Sequence, residues 1–376
     1  MTGRQQAPGR GGIDRLAALA ERSIEVILSN QAPTGAYLAS PSFPVYRYSW
    51  LRDGAFIADA MSRAGHYDSA SAFFEWCRRV VEARIGEIDA LVRRRSGGEA
   101  IAGHEYLHTR YSIDGEEGEA EWWNHQLDGY GAWLWALGAH YSRLPGHAAA
   151  GRFAQAVEAT ARYLTAFWAV PCYDCWEENS DQTHVATLAA IASGLGAAAD
   201  WPAASPAVRV ASRRALAAIE ETVRERGIVD GHLVKWLAGD DVDASLLFCA
   251  IPYRLLPPDD PVMKATVAQL TDRLVHGGIH RHAADTFFGG GEWVLLTALL
   301  GSYLAAIGDV AGARVKLEWV ADQADDNGWL PEQVSSHLLH PERFAEWERR
   351  WGPVASPLLW SHAMYLNLYR ELNPEG

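Results

Sequence analysis

Apolar residues recur at i, i+3 and i+4 in one segment after another along this chain, and sustained alternation with a period of two is almost absent. That spacing lays an apolar stripe along a helix and gives a half-buried strand no usable face, so it predicts an all-α fold. Amphipathic segments begin near Ile13, Trp50, Tyr67, Glu121, Ala148, Gln182, Ala207, Val242, Pro261, Glu292, Ala311 and Ser356, which makes about twelve helices of ordinary globular length. Three starts carry a capping side chain: Asp181 before the Gln182 segment, Ser205-Pro206 before the Ala207 segment, and Asp260-Pro261. The connections alternate. Every odd one is long, whereas even ones such as Ala64-Gly65-His66, Leu144-Pro145-Gly146 and Gly308-Asp309 are tight turns. Alternating long and short links over six helical pairs are what a ring of antiparallel hairpins produces, so the expectation is an (α/α)6 barrel of six helical hairpins with its long loops gathered at one end. No Pro/Gly/Ser-rich linker divides the chain. Residues 13–376 are therefore expected to form a single domain, after an N-terminal tail over 1–12 expected to be disordered.

Composition removes several function classes. The chain has 376 residues, and 33 Lys and Arg stand against 47 Asp and Glu, a formal net charge of −14. That balance argues against nucleic acid or any other partner bound through its phosphates. The longest apolar run, Trp293 to Ile307, is shorter than the ~18 residues of a membrane span. The first dozen residues are polar and glycine-rich, with no apolar segment of a secretory signal behind them. Cys77, Cys172, Cys175 and Cys249 are too scattered for a disulfide framework. The expectation is a soluble cytoplasmic protein.

Three long loops hold the residues that can do chemistry. The first ends in Tyr46-Arg47-Tyr48-Ser49-Trp50-Leu51-Arg52-Asp53: its aromatic rings offer an apolar platform for a sugar face, and Arg52 and Asp53 can donate to and accept from hydroxyls. The competing reading is a helix start with Asp53 placed by the macrodipole. The second reads Cys172-Tyr173-Asp174-Cys175-Trp176-Glu177-Glu178-Asn179. A carboxyl beside an indole is the setting that raises a pKa toward general-acid duty; the plainer reading is an acidic helix entry. The third, Gly328-Trp329-Leu330-Pro331-Glu332-Gln333-Val334, holds a Glu in an apolar, proline-stiffened turn. Two carboxyls on separate loops at one end of a ring are what inverting glycoside hydrolysis requires, one to protonate the leaving oxygen and one to activate water. Of 16 tryptophans, Trp122, Trp123, Trp176, Trp293 and Trp329 lie in or beside long loops, a bias toward a saccharide cleft.

Rival signals are weaker. His104-Glu105-Tyr106-Leu107-His108 has the zinc-peptidase spacing, but its glycine-rich flanks lack the apolar stripe of the helix that motif needs. Cys172-x-x-Cys175 has neither a second pair nor a βαβ context. Gly289-Gly290-Gly291 lacks the Lys-Ser/Thr of a phosphate loop. Arg93-Arg94-Arg95 reads as a helix end complementing the dipole.

Six ordered stretches, YSWLRDGAF, WWNHQLDGYGAWLWAL, DCWEE, HRHAADTFFGGGEW, LPEQV and SPLLWSHA, resemble those of glycoside hydrolase family 15, the glucoamylase-like and glucodextranase-like enzymes. The resemblance runs from about Tyr46 to Tyr369 and implies the same (α/α)6 barrel. It implies Glu177 as general acid, Glu332 as general base, and Glu178 as a residue that helps hold the substrate. Arg52 and Asp53 resemble the pair that grips the terminal glucose, with Tyr46 and Trp50 as aromatic wall. Arg281, Asp285 and Trp293 resemble later recognition residues, and Trp123, Trp176 and Gln333 complete the substrate-binding set. Asp174 is expected to assist the base.

The implied reaction is exo-acting and inverting, releases β-glucose from an oligosaccharide, and needs no metal or organic cofactor. Only a few dozen residues precede the first motif, so neither the N-terminal β-sandwich of many bacterial relatives nor a starch-binding module is expected, and Ser335-Ser336 stand where the family often has an acidic residue. Among family members the single-domain isomaltose glucohydrolases fit best, so α-1,6-linked isomaltose and isomaltooligosaccharides are the expected substrates. The alternatives are an α-1,4 glucoamylase, a glucodextranase, an α,α-trehalase, or a non-catalytic sugar-binding regulatory barrel. Retention of both Glu177 and Glu332 argues against the last.

Overall fold

A helix that is apolar on every side must be enclosed by others, and the segment VLLTALLGSYLAA is buried without a break from Val294 to Tyr303. It belongs to an inner ring. The structure, a computed structural model, describes residues 10–118, 122–144 and 150–374. Its helices are α1 (Arg10–Ser29), α2 (Leu51–Arg63), α3 (Tyr67–Glu82), α4 (Ile85–Ser96), α5 (Asp128–Arg143), α6 (Ala150–Phe167), α7 (Val185–Asp200), α8 (Pro206–Arg226), α9 (Pro261–Leu274), α10 (Val294–Ala306), α11 (Val310–Ala321), α12 (Pro341–Trp351) and α13 (Leu359–Leu372). Packing closes a ring in the order α2, α5, α7, the 3-10 segment Ala244–Cys249, α10, α13 and back to α2. Helices α3, α6, α8, α9, α11 and α1 back this ring from outside. The architecture is the all-α (α/α)6 barrel expected from the loop lengths, with α1 from the start of the chain packed on α13 from its end.

The tightest seam of the ring depends on two glycines. A Cβ on Gly131 of α5 would lie 2.3 Å from the Ala190 carbonyl oxygen of α7, and one on Gly194 of α7 would lie 2.5 Å from the Gly131 carbonyl oxygen. The backbones meet because neither residue has a side chain.

Several expected boundaries move, each for a local reason. Ser205 and Asp260 cap α8 and α9 by accepting from the Val208 and Val262 amides. Asp181 caps nothing: α7 starts at Val185 behind His184, because residues 179–184 are spent on a turn and a bridge from His184 to Trp236. The helix expected from Glu121 starts at Asp128, which leaves 122–127 as loop. The segment from Val242 forms only a 3-10 helix, since Pro252, Pro257 and Pro258 follow and proline stops helices. The last helix starts at Leu359, beyond Pro357. Helices α4 and α12 are additional to the expected set. Of the expected 1–12 tail, residues 1–9 lie outside the described residues and 10–12 open α1; part of the Leu144-Pro145-Gly146 turn lies outside them too.

Three two-residue antiparallel ladders interrupt the helices: β1 (Ser49–Trp50) with β2 (Arg110–Tyr111), β3 (Ile228–Val229) with β4 (His232–Leu233), and β5 (Glu292–Trp293) with β6 (Gln333–Val334). The first and third hold the mouth of the ring, immediately before α2 and α10. The inner helices present their N-termini there, and those partial positive charges favour the carboxylates gathered at that end.

Candidate active site

Each long loop delivers its side chains to one cavity at this end. The cavity has an empty volume of about 1010 Å³ and is lined by Tyr46, Trp50, Arg52, Asp53, Trp122, Trp123, Trp176, Glu177, Glu178, Arg281, Trp293 and Glu332, with Phe287, Trp347, Trp351 and Trp360 among the remaining walls. Glu177 and Glu332, 155 positions apart by their numbers, thus face the same hollow.

Glu177 sits at φ 69° and Asn179 at φ 53°, a left-handed conformation that side-chain-bearing residues rarely adopt and that must be held from outside. Asp174 supplies the hold. Its Oδ1 accepts from the Trp176 and Glu178 amides, each at 2.9 Å, its carbonyl accepts from the Glu177 amide at 3.0 Å, and its Oδ2 lies 3.5 Å from Lys235 Nζ. Lys235 in turn pairs with Asp243 at 3.0 Å, and Asp243 accepts from Trp176 Nε1 at 2.9 Å. Asp174 is buried and does not line the cavity. Asp174, expected to assist the base, lies under the acidic loop and fixes that loop's shape.

Three donors converge on one oxygen of Glu177. Trp50 Nε1 at 3.0 Å, Trp122 Nε1 at 2.9 Å and Gln126 Nε2 at 3.2 Å all donate to Oε1. Burial pushes the carboxyl above its ordinary range, against the pull of Arg52 and these donors. With Oε1 taken up by three donors, Oε2 is the oxygen open to carry a proton.

Glu332 is 3% exposed. Its amide donates to the Ala355 carbonyl and its own carbonyl accepts from the Val294 amide, so the backbone is pinned on both sides. Oε1 accepts from Tyr46 Oη at 3.0 Å, whereas Oε2 has no hydrogen-bond partner among the described residues. Burial pushes this carboxyl up to about 8, opposed by the Tyr46 hydrogen bond and the Arg281 charge. The rings of Tyr46 and Trp50, each bound to one of the two carboxyls, meet edge to face with centroids 5.6 Å apart.

The rest of the wall is built for hydroxyls. Arg52 donates through one terminal nitrogen to Gln126 at 2.8 Å and Asp128 at 3.1 Å. Its Nε lies 3.3 Å from Asp53 Oδ2, yet both atoms are buried without a hydrogen-bond partner among the described residues. Burial raises Asp53 to about 6 against the pull of Arg52. Arg281 stacks over Trp293 at 5.1 Å and Trp176 at 5.5 Å, and donates to Glu178 at 3.3 Å and to Asp285. Although burial works against it, Arg281 together with His282 brings Glu178 down to about 2.

Two expected binding residues do other work. Asp285 is fully buried and outside the cavity wall; it clamps Arg281 and accepts from the Phe287 amide at 2.9 Å. Gln333 is likewise outside the wall because its carbonyl oxygen accepts from the Gly291 amide at 2.9 Å and ties β6 to the neighbouring turn.

Glu178, His282 and Asp285 bring three ligand-type atoms within 4.8 Å of one another, but Arg281 already donates to both carboxylates and fills a cation's role. Gly103–Glu105 of the HExxH run is a single 3-10 turn, and Glu105 pairs with Arg94 at 2.6 Å, so His104 and His108 do not share a helical face.

Sequence reasoning missed Gln126, Phe287, Trp347, Trp351 and Trp360. Gln126 sits inside WWNHQLD, where the polar Asn124, His125 and Asp128 around it leave no signal that singles it out. Trp347 and Trp351 recur at helical spacing on α12.

A closed helical ring whose loops place two desolvated carboxyls across a tryptophan-walled hollow defines a glycoside-hydrolase type of site. Comparison with known proteins agrees: residues 14–286 match Glycosyl hydrolases family 15, and the chain belongs to that family. It is 49% identical over 369 residues to an isomaltose glucohydrolase of Kribbella flavida, covering 95% of this chain and 93% of that one. Among solved structures, a substituted glycosidase in complex with glucose superposes with a TM-score of 0.94 at 46% identity, over 98% of this chain and 99% of that one. A bacterial glucoamylase complexed with acarbose gives a TM-score of 0.74 at 18% identity, over 95% and 55%, a likeness of fold. The protein is a glycosidase. No described helix is long and apolar enough to cross a membrane.

Proposed function

We propose that this chain, acting as one catalytic unit over residues 13–376, is an exo-acting, inverting α-glucosidase that releases β-glucose from the non-reducing end of short α-1,6-linked glucosides such as isomaltose. One observation carries the reading: Glu177 and Glu332 line a single cavity from separate loops, and among the described residues the donors to each converge on one of its two oxygens. Glu177 delivers a proton from Oε2 to the glycosidic oxygen, and the three donors on Oε1 take up the charge left behind. Glu332 Oε2 removes a proton from water attacking the opposite face of the sugar. Arg52 and Asp53, both on the cavity wall, meet hydroxyls of the terminal glucose, with Arg281 and Glu178 beyond them. Trp176 and Trp293 form the apolar wall, and Trp123, 37% exposed, stands at the rim.

The α-1,6 preference is supported by the high identity to the Kribbella flavida isomaltose glucohydrolase over nearly the whole of both chains, and the glucose-bound neighbour supports a glucose-sized innermost site. Cytoplasmic residence is part of the proposal, supported by four free, buried cysteines. The deciding experiment incubates the enzyme with isomaltose, maltose, panose, trehalose and dextran and follows the anomer by NMR. β-Glucose should appear first, fastest from isomaltose; α-glucose as first product would overturn the inverting assignment, and a preference for maltose or trehalose the linkage.

A further inference from the structure

Arg110 is 3% exposed, and among the described residues no carboxylate lies within ion-pairing distance of it. Buried cations are ordinarily paired. This one is instead boxed by aromatic rings: its guanidinium carbon lies 3.5 Å from the centroid of Trp122, 4.2 Å from Tyr48 and 5.3 Å from Trp50. One terminal nitrogen donates to the Val45 carbonyl at 2.7 Å. Cross-strand pairing of Trp50 with Arg110 in β1–β2 sets this stack, and Gly118 leaves room for it, since a Cβ there would meet the Tyr48 ring at 2.8 Å. Two of the three rings, Trp50 and Trp122, are those whose N–H groups donate to Glu177 Oε1. Arg110 itself does not line the cavity. Of the carboxylates among the described residues, Glu177 is the one whose charge it feels most.

Resting on the proposed role of Glu177 as acid, we infer that Arg110 is a positioning residue that strengthens the acid through the two indoles stacked on it. Before proton transfer Glu177 is neutral and the cation has little to act on. As the proton leaves, negative charge grows on Oε1 and Oε2, and a fixed cation behind the two N–H donors polarises them toward it. The interaction is thus realised chiefly in the transition state, which is the condition for raising kcat.

The test compares two leaving groups. Isomaltose loses the second glucose through its 6-oxygen, a poor leaving group unless the acid protonates it; α-glucosyl fluoride loses fluoride and needs the acid far less. Arg110→Met fills the aromatic box without charge. It is expected to lower kcat on isomaltose roughly 10-fold or more while changing α-glucosyl fluoride turnover less than about 3-fold. The alkaline limb of kcat on isomaltose should move to higher pH, because Glu177 without the cation holds its proton more tightly. Arg110→Lys keeps the charge and should keep the wild-type limb and substrate ratio; Arg110→Gln is the second neutral variant should Met pack poorly. Equal losses on both substrates with an unmoved alkaline limb, or a limb moved as far by Lys as by Met, would overturn the inference. Turnover of neither substrate by the wild-type enzyme would instead remove the functional reading beneath it.

Discussion

At single side chains, the two carboxyls are distinguished by what their engaged oxygen meets. Glu177 Oε1 takes three N–H donors, and Glu332 Oε1 takes one phenol. Replacing either by Gln retains shape and removes proton traffic. Glu177→Gln and Glu332→Gln should each lower kcat on isomaltose roughly 10²–10⁴-fold with an unchanged circular dichroism spectrum. Tyr46→Phe deletes the hydrogen bond that opposes the burial-driven rise of Glu332 toward 8. A base works only when ionised, so if Glu332 is the base, as proposed, the acid limb of kcat/KM should move to still higher pH in this variant. Losing a hydrogen bond to a charged group, about 1.5–3 kcal/mol, should lower kcat/KM at fixed neutral pH roughly 10- to 100-fold. The motif residues were legible in sequence because they are polar or aromatic residues clustered in long loops. Their division of labour was not: Asp174, Asp285 and Gln333 look like neighbours of the acid, of Arg281 and of the base, yet all three turn inward to hold backbone or guanidinium.

Loops and short helices show how such turns are maintained. The 174–178 turn depends on Asp174 and on the buried Lys235–Asp243 pair beneath Trp176. Asp174→Ala should cost about 2–3 kcal/mol through the two amides left unsatisfied, read as a lower urea midpoint. It should also reduce kcat because Glu177 loses its left-handed hold, while leaving the acid limb set by Glu332 in place. Helix α12 behaves differently. It buries no residue fully and packs on the Phe287–Gly289 turn through Phe344 and Trp347, while Trp347 and Trp351 face the cavity. An aromatic wall on an outlying helix serves the departing sugar more than the reacting one. Trp347→Ala should therefore raise KM for isomaltose roughly 2- to 12-fold, by about the 0.5–1.5 kcal/mol of a lost aromatic contact, and change kcat less, measured by initial rates across substrate concentration. The periodicity of Trp347 and Trp351 was visible, but a short amphipathic stretch with no buried position looks like a loop.

Across the barrel, the ring α2, α5, α7, 244–249, α10 and α13 gathers helix N-termini and long loops at one end and leaves tight turns at the other. Its closure depends on backbone contact at Gly131 and Gly194. Gly131→Ala, although alanine favours helix, forces α5 and α7 apart and should destabilise the fold by about 1–3 kcal/mol. Equilibrium urea unfolding should show this as a lower midpoint with an unchanged slope.

Local chemistry was sufficient to reveal the helical class, the count of hairpins and the end of the ring that bears function, because periodicity, capping residues and linker lengths are properties of neighbouring residues. Ser205 and Asp260 capped where expected for that reason. Where Asp181 was displaced, and where Asp174 and Gln333 pointed, the outcome depended on partners tens of residues away: Trp236, Lys235 and Gly291. The proposed separation of proton donor from proton acceptor arises the same way. Burial and hydrogen-bond donors set a carboxyl's affinity for its proton, and both exist only once Trp50, Trp122, Gln126 and Tyr46 have been folded around two residues 155 positions apart.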